Sequence, residues 1–222
     1  MKIKILDLFC GVGGCSVGYH QGFSKYGYQV DITGVDIAYQ RNYPYKFIQS
    51  DAISFLRLYG DRFDLIHASP PCQFYSSTAC LNPDIAYPEL IGDVRKWLLK
   101  IGKPYIIENV QDAANFMLAK RTILICGLMV DVPMPRHRLF ENSMGLPQPP
   151  HPKHRLRCGK MGRPHREGDY YPSPCGNFPQ RDLIKSVMGL HHAKIKKEIS
   201  QAIPPAYTSF LVDLMLNPSI LR

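Results

Sequence analysis

The polar and apolar positions of the first 142 residues divide into short apolar runs separated by helical patterns. KIKILDLF at 2–9 is rich in Ile and Leu and is stopped by the glycines at 11, 13 and 14. YQVDITGVDI at 28–37, KFIQS at 46–50 and FDLIHAS at 63–69 follow, the last halted by Pro70-Pro71. PYIIENV at 104–110, RTILICG at 121–127 and RHRLFEN at 136–142 complete the set. Runs of this length, bounded by Gly and Pro, predict buried strands. Between them, Leu90, Val94, Trp97, Leu98 and Ile101 recur at helical spacing and predict a helix over 87–101. Alternating strands and helices predict an α/β fold with a mostly parallel, doubly wound sheet covered on both faces.

Residues 143–180 break the pattern. They hold eight prolines and five glycines and show no apolar periodicity, which predicts an irregular insert. Helix returns from 181. Pro204-Pro205 suits a helix start, and Tyr207, Phe210, Leu211, Leu214 and Met215 then form one apolar stripe that reads as core. The chain therefore divides into a body at 1–142, an insert at 143–180 and helices completing the body at 181–222.

Composition narrows the classes. At 222 residues with 45% hydrophobic and 20% charged positions, one main domain with a real core is expected and wholesale disorder is excluded. No apolar run is long enough to cross a membrane, and Asp7 interrupts the N-terminal run before it resembles a signal peptide. Seven cysteines with no CxxC pair point to thiols in a reducing cytoplasm. The net charge of +9 is lopsided: residues 1–142 carry +2 and residues 143–222 carry +7. Six basic residues between 151 and 166 (Lys153, Arg155, Arg157, Lys160, Arg163 and Arg166) have no acid among them. A polyanionic partner or a merely solvated face accounts for that equally well.

Candidate chemistry gathers at predicted strand ends, where open parallel sheets bind ligands. The first strand runs into DLFCGVGGCSVG, whose Gly11, Gly13 and Ser16 fail to complete the dinucleotide fingerprint GxGxxG. Asp36 ends the second strand, placed to accept ribose hydroxyls, and Asp51 follows the third. A glycine turn with successive acids suits an adenosine cofactor lacking phosphates, and S-adenosylmethionine better than NAD. A plain tight turn remains the alternative. Ser69-Pro70-Pro71-Cys72-Gln73 fixes the backbone just before a thiol, which reads as a nucleophile or as an inert buried cysteine. Cys10, Cys15, Cys80 and Cys126 take the inert reading. Glu108 and Asn109 end the fifth strand, and Arg136 and Arg138 alternate so that both leave one face.

Taken in order, these pieces resemble the cytosine-5 DNA methyltransferase family. The matching motifs are DLFCGVGG at 7–14, the strand-end acid Asp36, Asp51-Ala52, SPPCQ at 69–73, ENV at 108–110 and PMPRHRLF at 133–140, with a weaker ISQAIPP at 199–205. The resemblance implies a Rossmann-like fold dependent on S-adenosyl-L-methionine, with 143–180 as a shortened target-recognition region. It implies that Cys72 attacks carbon 6 of a flipped cytosine, that Glu108 bonds ring N3 and that Arg138 binds O2. Phe9, Gly11, Gly13, Gly14, Asp36 and Asp51 would hold the cofactor. Gln73, Ser76, Asn109, Arg136, Arg155 and Arg157 would hold the substrate.

Two motifs depart from the family pattern. Met134 stands where Gln is usual, and Ser200-Gln201 where Gly-Asn is usual. The expected partner is double-stranded DNA, read by a monomer or with an accessory protein. RNA, including tRNA, and a catalytically weakened DNA-binding relative are the alternatives. A restriction partner, phage protection and gene regulation fit equally as biological purposes. His151, His154, Cys158, His165 and Cys175 are metal-ligand types, but their spacing fits no paired-ligand pattern, so no metal is expected. His191-His192 read as helix surface.

Overall fold

The computed structural model describes residues 1–76, 87–158, 170–171, 181–217 and 219. Seven strands form one sheet: β1 (Lys2–Leu8), β2 (Gln29–Asp36), β3 (Lys46–Gln49), β4 (Leu65–Ala68), β5 (Tyr105–Val110), β6 (Thr122–Ile125) and β7 (Arg138–Asn142). Their order is β3-β2-β1-β4-β5-β7-β6. The pairs from β3 to β5 are parallel, and β7 runs antiparallel to both β5 and β6. Strand order reverses between β1 and β4, so the crevice that such a reversal opens lies beyond their carboxyl ends. The predicted strands all form, and the mixed edge arises because β7 returns without a covering helix.

Helices α1 (Gly14–Lys25), α2 (Ala52–Tyr59), α3 (Ile91–Ile101), α4 (Arg181–Val187), α5 (Lys196–Gln201) and α6 (Pro205–Leu216) cover the sheet. Strand alternation sorts the side chains between two cores. Leu6, Leu8, Ile66, Ala68 and Ile107 face α2 and α3, while Ile5, Leu65 and Ile106 face α1 and α6. The same period sends Asp7, His67 and Glu108 toward the α1 and α6 side, and all three are buried. Polar residues in these apolar runs therefore form a row across β1, β4 and β5.

α1 lies against α6 through a face without side chains. A Cβ on Gly14 would lie 2.0 Å from the Ile203 carbonyl oxygen, and one on Gly18 2.0 Å from that of Pro205. Three of the five stripe residues, Tyr207, Leu211 and Leu214, are fully buried as predicted for α6. A third cluster joins Val12, Val132 and Met134 to Ile184, Met188 and Leu190. Met134 is thus a core residue, which gives a packing reason for an apolar side chain where the motif usually has Gln. Within the insert, β8 (Arg157–Cys158) and β9 (Tyr170–Tyr171) pair in parallel, a short ladder that the proline content did not predict. His192 departs from the expected helix surface. It lies in a turn, half-buried, and its Nε2 donates to the Val12 carbonyl at 2.8 Å.

Candidate active site

Cys72 opens a 3₁₀ turn, Cys72–Phe74, two prolines beyond β4. The loop is pinned from the next strand: Asn109 Nδ2 donates to the Pro70 carbonyl at 2.9 Å. Glu108 precedes that asparagine, on the opposite face of β5. Antiparallel pairing sets Arg138 opposite Val110, so Glu108 is the diagonal neighbour of Arg138 on the same face. Arg138 Nε lies 3.1 Å from Glu108 Oε1, and both side chains are largely buried.

Burial and the Glu108 charge raise the Cys72 thiol, while Arg138 and Arg136 pull it down. Burial also raises the Glu108 carboxyl, opposed by Arg138, a hydrogen bond from Ser69 and Arg136. Thiol, carboxyl and guanidinium therefore share one electrostatic neighbourhood at the carboxyl edge of the sheet. Arg136 precedes β7 and is not an alternating strand residue. Its Nη2 donates to the Ser200 carbonyl at 3.0 Å and weakly to that of Ala202, and its own carbonyl accepts from Tyr207. It ties the α5–α6 junction to the site, an anchoring role beside the expected hold on the substrate. Gln73 and Ser76 lie beside Cys72, both partly buried, and the Ser76 amide bonds the Cys72 carbonyl at 2.9 Å. Among the described residues, Gln73 Oε1 is buried without a hydrogen-bond partner.

A polar relay behind Glu108 went unread in the sequence. Tyr19 of α1 lies 2.9 Å from His67 Nδ1, and His67 Nε2 lies 2.8 Å from Ser69 Oγ. Burial lowers the His67 pKa to about 3, so the imidazole is neutral. One proton arrangement then satisfies the three groups: Tyr19 donates to Nδ1 and Nε2–H donates to Ser69, whose hydroxyl in turn lowers the Glu108 carboxyl. The only sequence signal was a histidine inside an apolar strand.

The glycine turn forms the other half of the crevice. Phe9 and Gly11 both have positive φ, at 57° and 49°, and a Cβ on Gly11 would meet nothing within 4 Å. Gly11 therefore borders open space. Gly13 and Gly14 do not: a Cβ on Gly13 would strike the Tyr43 ring at 2.7 Å, and Gly14 faces Ile203. The room these two give is to the protein's own segments. Asp36 accepts from Gly11 N and Ala38 N, each at 2.9 Å, so its first duty is to hold the turn. Each carboxylate oxygen keeps a further lone pair for a ligand. Asp51 is exposed and caps α2 by accepting from Ser54 N at 2.8 Å. Ile37, next to Asp36, is 73% exposed, an apolar face at the end of β2 that the motif reading passed over.

Asp7 is buried under this turn, where Ser16 Oγ donates to it at 2.5 Å and itself lies 2.6 Å from Tyr43 OH. Arg155 is exposed in the insert. Arg157 lies in β8. Cys80, Lys160, Arg163 and Arg166 lie outside the described residues, as do His165 and Cys175. No helix among the described residues is long and apolar enough to cross a membrane.

Residues 3–118 match the family model for C-5 cytosine-specific DNA methylase. Two curated proteins of Herpetosiphon aurantiacus are similar. The type II methyltransferase M.HgiGI is 32% identical over 124 residues, covering 50% of this chain and 93% of that protein. The type II methyltransferase M.HgiDI is 31% identical over 137 residues, covering 58% of this chain and 43% of that protein. Among solved structures, the Dnmt2 methyltransferase of S. pombe superposes with a TM-score of 0.62 at 12% identity over 99% of each chain. The methyltransferase EhMeth of Entamoeba histolytica gives 0.61 at 12% identity, again over 99% of each. At that identity the two structures speak for the fold, the mixed sheet with its Rossmann-like winding.

Proposed function

Because this chain belongs to the C-5 cytosine-specific DNA methylase family, we propose that it methylates carbon 5 of cytosine in double-stranded DNA, with S-adenosyl-L-methionine as methyl donor. The observation that carries this reading is the Glu108–Arg138 pair at 3.1 Å in the electrostatic reach of Cys72. The target base leaves its stack to enter the crevice. Cys72 attacks carbon 6 as a thiolate, forming a carbon–sulfur bond and pushing electron density to carbon 5. Glu108, whose carboxyl is raised by burial against the pull of Arg138, shares a proton with ring N3 and disperses the charge of that attack. Sharing its proton with the base also lifts the negative charge that opposes the Cys72 thiolate. Arg138 binds the carbonyl oxygen O2. Once carbon 5 carries the methyl group, loss of its proton to solvent expels the Cys72 thiolate and restores the aromatic ring. Asn109 holds the Cys72 loop in place through Pro70.

The cofactor crevice fits S-adenosyl-L-methionine. Gly11 borders open space, Asp36 keeps lone pairs for ribose hydroxyls, Ile37 offers an apolar face to adenine, and Asp51 stands beyond β3. When bound, the cofactor supplies an electrophilic methyl group on a sulfonium. The insert at 143–180 supplies phosphate contacts, with Arg155 and Arg157 among them, and 181–222 completes the catalytic body. Incubation with tritiated cofactor tests the substrate: label is expected in duplex DNA and not in tRNA, with bisulfite sequencing locating the cytosines. Label in tRNA alone would move the substrate to RNA. Label in neither would contradict the reading.

A further inference from the structure

Four side chains outside the proposed catalytic set converge beside it. Cys126 follows β6, His137 stands between Arg136 and Arg138, and His151 and His154 lie in the segment that leaves β7. One ligand atom from each lies within 4.8 Å of all the others. Cys126 Sγ is 3.5 Å from His154 Nε2, and His137 Nε2 is 3.1 Å from His151 Nε2. Tetrahedral zinc, with Zn–S near 2.3 Å and Zn–N near 2.05 Å, needs edges of about 3.6 Å for S···N and about 3.3 Å for N···N. Both observed edges resemble those of an assembled site. The three imidazoles stand in a triangle, with ring centroids 5.1, 5.1 and 5.0 Å apart.

The hydrogen bonds around the cluster orient lone pairs toward its centre. The Gln111 carbonyl oxygen can only accept, so at 3.0 Å it takes the proton on His137 Nδ1. That leaves His137 Nε2 as the inward nitrogen, aimed at another Nε2. Such outer-shell support is the usual companion of a metal-ligating histidine. Cys126 Sγ in turn accepts the backbone N–H of Met129, which favours a thiolate. Cys126 is buried while His151 and His154 are exposed, so the cluster has a solvent side through which an ion can enter.

We propose that Cys126, His137, His151 and His154 form a structural zinc site that clasps the start of the insert to the strand carrying Arg138. One thiolate and three imidazoles, with no oxygen ligand, suit zinc over magnesium or calcium. Four protein ligands close the coordination sphere, so the role is structural. On binding, the Cys126 thiol releases its proton to solvent. Spacing along the chain could not reveal this site, because two ligands come from strand ends brought together only by the β6–β7 pairing. Arg138 Nη1 donates to the His137 carbonyl at 2.7 Å, so fixing His137 also fixes the guanidinium that faces Glu108.

The test uses the full chain without an affinity tag, stripped with chelator and titrated with zinc. Elemental analysis is expected to give one zinc per chain. Cobalt reconstitution should give intense tetrahedral ligand-field bands with one thiolate charge-transfer band. The double variant Cys126→Ser/His151→Ala should lose the ion, while Cys158→Ser/Cys175→Ser keeps it. Gln111→Ala should weaken zinc by about 10–100-fold. Zinc at background level in the wild type would overturn the proposal. So would a cobalt spectrum without thiolate charge transfer, equal binding by the first variant, or loss of the ion in the second.

Discussion

At the scale of single residues, the crevice is built on carboxyl groups that the fold keeps from ionising freely. Asp7 is raised from an ordinary 3.8 to about 7, first by burial, against the Ser16 hydrogen bond and with help from the Asp36 charge. A carboxyl that holds its proton more tightly when folded stabilises the fold below its unfolded pKa. That contribution is lost as pH rises through the folded value. Between about pH 4 and pH 7 the wild type should therefore lose stability relative to Asp7→Asn, on the order of 4 kcal/mol as an upper bound. Urea unfolding of both proteins at pH 5 and pH 8 checks this, and parallel pH dependence would count against it. Glu108 and Cys72 titrate to opposite effect in the proposed reaction. The thiolate limits the acidic limb and the protonated carboxyl limits the basic limb. Glu108→Gln should slow turnover by about 10²–10⁴-fold and flatten the basic limb of the pH–rate profile while keeping the acidic one. Cys72, Glu108 and Arg138 were legible in the sequence because each sits in a short motif at a strand end. Tyr19, His67 and Asp7 were not, since a polar residue in an apolar run shows its partners only when α1 covers the sheet.

At the scale of elements, two contacts hold the covering helices in place. Arg95 of α3 makes paired bonds to Glu141 of β7, Nε at 2.8 Å and Nη2 at 2.7 Å, and Glu141 is fully buried. Glu141 also accepts Leu118 N at 2.8 Å. Arg95→Ala leaves that carboxylate buried without its cation and should cost about 3–5 kcal/mol, read by chemical denaturation. On the other face, Gly18 lets α1 touch the backbone of α6, and a methyl there would lie 2.1 Å from Thr208 Oγ1 as well as meeting Pro205. The strands were readable because Ile- and Leu-rich runs ended at Gly or Pro. The stripe of α6 was readable from its period. The glycine face of α1 was not, because a helix that packs through missing side chains leaves no apolar stripe to find. His192 was misread for a related reason. Nothing local distinguishes a surface histidine from one whose Nε2 reaches across the fold to Val12.

At the scale of the whole molecule, nearly neutral residues 1–142 are followed by a basic C-terminal third, +2 against +7. If that charge meets DNA phosphates, each contact adds about 0.9 to the slope of log affinity against log salt. Replacing Arg155 and Arg157 together with Ala should flatten the slope by up to about 2 and weaken all duplex sequences alike. Unchanged slope and unchanged specificity would exclude both arginines from the interface. The proposed reaction turns on covalent attack by Cys72, and duplex DNA carrying 5-fluorocytosine traps that adduct. Fluorine cannot leave carbon 5 as a proton does, so elimination stalls and the enzyme stays attached. With S-adenosyl-L-methionine present, a denaturation-resistant complex whose modified peptide contains Cys72 is expected, and none from Cys72→Ala. A complex formed equally by Cys72→Ala, or attached through another residue, would contradict it.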